Sequence, residues 1–323
     1  DNEYTQKFGK QQGKYYVPQR TAAGLDPWAT PQAYDNAKDF FDTGITWSNS
    51  LNVAQMLDKS SYSISLGNTH QDGIISSTGM DRYNVKVSAD TKLTNNWSSG
   101  FTANYITTSI DKAVTSGNGL LRTVYAAPPS YDLAGIPSHV DGNPYTQNSF
   151  RGSFDNAYWA MENNKFTEDT NRFFGNVYAS YQTDFGTTNH KLNAKYMVGV
   201  DAYTTHYVDS YGYGSNTGGG RGQIENYGWT NATYNSLLTI NYDWRINEDW
   251  GLNAVLGNEI IQSNRKKYYE YGTNYNFPGW NHINNATTQQ TEEETWKNRT
   301  VGFFGNVSAS YKNMLYLTLT GRQ

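Results

Sequence analysis

The sequence predicts an all-β fold: the wall of an antiparallel transmembrane β barrel with long loops on one side. Three observations predict it. Ten segments alternate apolar and polar residues with the two-residue period of a strand. Short and long connections take turns between them, as in outer-membrane barrels, whose periplasmic turns are short and whose extracellular loops are long. Finally, the polar positions are Asn, Ser, Thr, Gly and Tyr more than charge. Only 17% of the 323 residues are charged and 27 are tyrosine, whereas a soluble globule carries about 25% charged residues.

Residues 1–43 stand apart. Thr30 before Pro31 is a helix start, which predicts a short helix over 31–42 in a loop segment on the long-loop side. The partial barrel is expected over 44–323, with strands at 45–56, 61–70, 82–93, 97–109, 171–184, 190–206, 229–245, 250–263, 298–311 and 314–323. In the second strand Tyr62, Ile64 and Leu66 alternate with Ser61, Ser63 and Ser65. In the third, Tyr83, Val85, Val87 and Ala89 alternate with Asn84, Lys86, Ser88 and Asp90. In the sixth, Leu192, Ala194, Tyr196, Val198 and Val200 face away from Asn193, Lys195 and Asp201. In the seventh, Ser236, Leu238, Ile240, Tyr242 and Trp244 face away from Asn235, Thr239, Asn241 and Asp243. In the last two, Val301, Phe303, Val307 and Leu315, Leu317, Leu319 oppose a Ser, Thr and Asn face, with a turn at Lys312-Asn313. The apolar sets are expected to face lipid and the polar sets a lumen, as in porin-like walls. Gln323 falls within a strand, so the barrel is expected to continue beyond it. The other short turns fall near residues 57–60, 94–96, 186–189 and 247–249. The long connections are 71–81, 111–170, 207–228 and 264–297. A sandwich, propeller or β-helix has no reason to alternate in this way, and no fixed repeat length is present.

Aromatic residues gather at strand ends: Trp47, Trp97, Phe173, Phe185, Trp244, Trp250 and Phe303. Transmembrane barrels carry such girdles at both interfaces; cross-strand pairing in a soluble sheet explains single pairs only. The run FFGNVYASYQ at 173–182 returns as FFGNVSASYK at 303–312. Hairpin duplication or a shared barrel constraint accounts for it, and both copies should run in the same direction.

Several chemistries are excluded or unsupported. The chain has no cysteine, which rules out disulfides and Cys-based zinc sites. The net charge of −4 comes without a Lys/Arg cluster, so nucleic acid is not an expected partner. No run of about 18 apolar residues would form a transmembrane helix, but strands need only about 9–11 alternating residues. His70, His139, His190, His206 and His282 show no metal-ligand spacing, and no cofactor is expected. GYGSNTGGGRG at 212–222 lacks a nucleotide-loop pattern and reads as a mobile loop. Glu292-Glu293-Glu294 reads as a solvated charge run.

The long connections are rich in aromatics and amides. The ligand-binding candidates drawn from them are Tyr131, Asp132, Tyr145, Trp159, Tyr211, Tyr275 and Trp280. Flat rings beside amides and carboxylates suit glycans, because rings stack on apolar sugar faces while polar groups bind hydroxyls. Peptides fit as well. The competing reading is that the rings pack the loops against each other or against a lid protein.

Residues 40–75, FFDTGITWSNSLNVAQMLDKSSYSISLGNTHQDGII, resemble the barrel of SusC/RagA-type TonB-dependent transporters of Bacteroidota. Arg82-Tyr83-Asn84, the strand from Trp97, YWAMENNKFTEDTNRFFGNV at 158–177, and 301–322 continue the resemblance. It implies part of a larger barrel of about 22 strands in the outer membrane of a Gram-negative bacterium. It further implies import of a large nutrient, glycan or peptide, energised by the TonB complex through an N-terminal region, under a SusD-like surface lipoprotein. No catalytic step is implied. The family's signal sequence, TonB-binding motif and plug are not visible, so a middle piece of a transporter is expected. Two alternatives stay open. One is a self-contained ten-stranded outer-membrane enzyme, for which Asp81, Asp111 and His206 are scattered candidates. The other is a soluble glycan-binding β-protein.

Overall fold

The computed structural model describes residues 9–114 and 119–323. Ten strands form one sheet in sequence order. They are β1 Thr46–Met56, β2 Ser60–Asp72, β3 Gly79–Lys92, β4 Trp97–Lys112, β5 Lys165–Thr183, β6 His190–Tyr211, β7 Gln223–Arg245, β8 Trp250–Tyr275, β9 Ala286–Tyr311 and β10 Leu315–Arg322. Every neighbouring pair is antiparallel.

Residues paired across strands share a face, so the register tests whether the apolar sets lie together. Leu66 stands opposite Leu51 and Val85, and Val85 opposite Tyr105. Val177 stands opposite Phe101 and Val198. Ile240 stands opposite Ala194 and Leu256, and Val307 opposite Ala254 and Leu319. The apolar sets of all ten strands thus form one surface, and it is bare: Leu317 is 65% exposed and Phe303 61%. An exposed apolar patch of this extent marks contact with a membrane or a partner. The other face is hydrogen-bonded among its own polar groups, as in Ser63 with Ser88 (2.7 Å), Ser308 with Thr318 (2.9 Å) and Asn253 with Asn241 (2.8 Å).

Two aromatic belts bound the apolar surface. The inner belt, toward the short turns, includes Trp97 packed on Tyr181 at 5.0 Å and Trp250 on Tyr311 at 4.7 Å. The outer belt, toward the long loops, is Trp47, Tyr83, Tyr105, Phe173, Tyr234 and Phe303. On β5 the belts are marked by Phe173 and Tyr181, and on β9 by Phe303 and Tyr311. That separation of about eight residues spans roughly 20 Å across a bilayer for strands tilted by about 40°.

The outer belt also slips steadily against the hydrogen-bond register. Traced to β5, Trp47 stands level with Asp169, Tyr83 with Asn171, Tyr105 with Phe173, Tyr234 with Gly175 and Phe303 with Ala179. A slip of about 1.25 residues per strand, at 3.3 Å per residue and 4.8 Å between strands, is a tilt of about 40°, the tilt of barrel strands. The repeated FFGNV-x-ASY therefore has a structural meaning. Each copy runs from an outer-belt Phe to an inner-belt Tyr, in the same direction, on strands four places apart.

The strands extend further outward than the sequence reading placed them. β5 starts at Lys165, β6 ends at Tyr211, β7 starts at Gln223, β8 ends at Tyr275 and β9 starts at Ala286. Tyr268, Tyr269, Tyr271 and Tyr275 are strand residues, not loop residues. Above the belt neither face needs to be apolar, so the alternation that marks the lower strands fades there.

A small buried apolar cluster, Ile224, Tyr275 and Ala286, sits at the outer ends of β7, β8 and β9; the larger core is not in the sheet. It lies in a cap on the long-loop side, built from residues 15–40 and 120–160 around Tyr15, Val17, Phe40, Val124, Leu133, Phe150 and Trp159. The helices are α1 Pro18–Ala22, α2 Asn36–Phe40, α3 Leu120–Ala126 and α4 Ala157–Asn163. Polar side chains stitch the two segments together. Asn36 accepts from the Leu133 N–H at 3.1 Å, Tyr15 donates to the Ser130 carbonyl at 2.5 Å, and Asn148 donates to the Gln19 carbonyl at 2.8 Å. The helix predicted over 31–42 is shorter. It starts after Asp35, whose carboxylate accepts from the Lys38 N–H at 3.1 Å. Residues 30–35 instead lead away from the short strand Trp28–Ala29, which pairs with Tyr15 and Tyr16.

Candidate functional site: the aromatic wall of the outer vestibule

Above the outer belt, the face opposite the apolar surface changes character. On β6 the positions that hold Asn193, Lys195 and Asp201 lower down hold Tyr203, Tyr207 and Tyr211 higher up. On β7 the series Asn241, Asn235 and Asn231 gives way to Trp229 and Tyr227. Register brings these rings together, since Tyr207 stands opposite Tyr227 and Tyr227 opposite Tyr269.

Tyr207 and Tyr227 stack at 4.8 Å with planes 7° apart, and Trp229 stands edge-on to both. The Arg265 guanidinium lies 5.3 Å from the Trp229 ring and 5.4 Å from that of Trp296. Arg265, Trp296, Tyr203 and Asn231 line an open hollow of about 680 Å³. At the other end of the wall, the Lys112 ammonium sits 4.6 Å over Tyr207 and 3.4 Å from Glu168. The Tyr227 hydroxyl donates to Asp209 at 3.0 Å. Burial first, and this carboxylate second, hold the Tyr227 phenol well above its ordinary pKa, so it stays a neutral donor. Tyr207 and Tyr269 are shifted upward too, by burial and then by Glu168 and Glu225 respectively. The wall therefore offers ring faces, neutral hydroxyls, carboxylates and a guanidinium held between indoles. Such a surface suits neutral or cationic chains with apolar faces.

Of the residues selected from sequence, several sit elsewhere. Tyr131, Trp159 and Tyr275 are essentially unexposed. Tyr131 packs on Phe150 at 4.9 Å, Trp159 donates its indole N–H to the Pro144 carbonyl at 2.8 Å, and the Tyr275 hydroxyl meets Ser210. Asp132 accepts from the Gly135 N–H at 2.7 Å. Tyr145 lies against Gly279, whose φ is +83°. Trp280 remains exposed but stacks on His282 at 5.0 Å and on Phe277 at 5.8 Å. Tyr211 belongs to the vestibule side, edge-on to Phe166 at 5.2 Å. The glycine-rich stretch 212–222 is tied to the cap, with Ser215 and the Asn216 N–H donating to Asp155 at 2.6 and 2.7 Å. Asp81, Asp111 and His206 lie on the outward face of β3, β4 and β6; Asp81 is bonded to His70 and His206 to Tyr268. Among the described residues no cluster could hold a metal ion.

The readable sign of the vestibule was the parity switch: apart from Tyr268, which stays outward beside His206, the upper-strand aromatics of β6–β9 leave the lipid-facing positions and occupy the polar ones. It marks Tyr207, Tyr227, Trp229, Tyr269 and Trp296, which the sequence selection passed over.

A tilted antiparallel sheet with an apolar outer surface, two aromatic belts and a polar inner face is the wall of a transmembrane β barrel. Solved structures carry the same fold. The RagAB peptide transporter aligns at a TM-score of 0.74 with 14% identity. The RagAB peptide importer aligns at 0.72 in its closed-closed state (16% identity) and at 0.72 in its open-open state (14%). Each alignment covers 90% of this chain and 33% of the other, so the chain spans about a third of their length. No protein-family profile and no curated protein matches the sequence.

Proposed function

We propose that this chain is part of the barrel of an outer-membrane transporter of the TonB-dependent, SusC/RagA type, importing a large nutrient, glycan or peptide. Residues 44–323 supply its wall together with long extracellular loops, and residues 1–43 belong to the extracellular side. The observation that carries the reading is the continuity of the lumen face. It is polar between the belts and turns into an aromatic wall just outside them, where an incoming ligand first meets the barrel. By the sequence resemblance, a SusD-like surface lipoprotein covers this end, and the TonB complex acts through an N-terminal region. The transporter fold also favours a non-enzymatic role.

The test is uptake by the full-length protein carrying Trp229→Ala and Trp296→Ala. Ring stacking on a ligand at a partly open site is worth about 0.5–1 kcal/mol per ring, so with both rings removed half-maximal uptake should need roughly tenfold more oligosaccharide or oligopeptide. Unchanged uptake of every glycan and peptide supplied, with normal membrane insertion, would remove the vestibule from the pathway.

A further inference from the structure

The outward face just beyond the outer belt is electrically divided. On β3, β4 and β5 it carries Asp81, Asp111 and Asp169, with His70 at 2.8 Å from Asp81 and Ser109 donating to Asp169 at 2.6 Å. On β8 and β9 it carries Lys266, Lys297 and Arg299. Their side is set by register: Arg299 pairs with Gln262, Val301 with Ile260, and Phe303 belongs to the belt itself. Arg299 and Lys297 are the second and third outward positions above Phe303, roughly 10 and 15 Å from it along the membrane normal. Among the outward positions from Val301 to Lys297 and from Ile260 to Lys266 there is no acid. Glu293, which binds Lys266 at 2.8 Å, lies further out. Arg299 is held in place rather than swinging freely, since its Nε donates to Gln262 at 2.9 Å and a second guanidinium N–H reaches the same oxygen. That leaves the remaining fork donors of a planar cation at a fixed height beside the apolar surface.

We propose that Arg299 and Lys297, with Lys266 behind them, form a binding site for the phosphate of an anionic outer-leaflet lipid. The lipid's acyl chains would lie against Val301, Phe303 and Leu256. The chemistry fits at each level. Acyl chains cover the bare apolar surface, a phosphate needs a fork donor and a point charge, and the cations stand at headgroup height. On the acidic arc of β3–β5 the same phosphate would be repelled. The site rests on the membrane reading but not on what the lumen carries.

Native mass spectrometry of the detergent-purified full-length protein, titrated with a diphosphorylated lipid A and with its dephosphorylated analogue, tests this. The wild type should retain the diphosphorylated lipid selectively, and inorganic phosphate at millimolar concentration should not displace it. Arg299→Gln with Lys297→Gln should weaken retention about 30-fold, near fivefold per cation. Arg299→Lys with Lys297→Arg should keep most of it. Lys59→Gln with Lys92→Gln, the same charge change at the short-turn end, should leave it intact. Equal retention of both lipids, or equal loss in the short-turn variant, overturns the site while leaving the barrel reading untouched. Failure of the wild type to enter lipid nanodiscs at all would overturn both.

Discussion

At the scale of single residues, burial decides which aromatic rings are structure and which are surface. Tyr275 ends β8 with its ring closed in by Gly222 and its hydroxyl against Ser210, while its backbone N–H donates to the Arg221 carbonyl at 2.9 Å. Burial pushes its phenol up to about 12. A phenol that holds its proton more tightly when folded contributes stability that is fully present below its ordinary pKa of about 10. That contribution fades as pH rises toward 12. The tip of the β8–β9 hairpin should therefore loosen between about pH 10 and 12, seen as faster amide exchange around residues 272–286. Tyr275→Phe should cost about 1 kcal/mol at neutral pH through the lost hydroxyl contact, yet abolish the alkaline loosening. An alkaline transition of the same size in the Phe variant would show that another group titrates. Trp229 and Trp296 are the opposite case, since their rings are committed to a cation and remain partly open to the vestibule.

At the scale of strands, the facing of each element follows from what its alternate positions must meet. Val198 and Leu317 share the apolar surface; Asn193 and Thr318 share the polar one. An arginine on a lipid face costs about 2–4 kcal/mol near mid-bilayer and little in a lumen. Val198→Arg and Leu317→Arg should therefore impair membrane assembly, measured as heat-modifiable migration of the folded barrel, while Asn193→Arg and Thr318→Arg should assemble nearly normally. Equal defects in both pairs would mean the faces are misassigned. This facing could be read from sequence because lipid on one side and water on the other force a period of two. All ten strands were legible for that reason, as was Lys312-Asn313, whose positive φ values of 50° and 55° make a tight two-residue turn. Outside the belts the constraint vanishes. In Asn264, Lys266, Tyr268 and Glu270 both faces of β8 are wet, so the upper strand looked like loop. The cap was legible only as a collection of rings, because the partner of Trp159 is chosen by a long-range fold that no local period records.

At the scale of the whole molecule, wall and cap are held together by different forces. The wall buries almost nothing within this chain; its cohesion is the hydrogen-bond ladder, and lipid supplies the apolar environment. The cap is a small soluble-type core, with Trp159 at its centre under the 212–222 loop, where Gly214 sits at φ +100° against the indole. The two should fail independently. Trp159→Ala removes a fully buried indole and should cost the cap about 3–5 kcal/mol, more than a local cluster of this size is expected to withstand. Limited proteolysis should then cut within residues 120–160 and 212–222 while the strands between the belts stay protected. The folded barrel should keep its electrophoretic mobility. Phe303→Ala, on the bare outer belt, should do the reverse and leave the cap resistant. If Trp159→Ala instead unfolds the wall, the cap is a keystone of the barrel, and the lumen face with its aromatic vestibule depends on it directly.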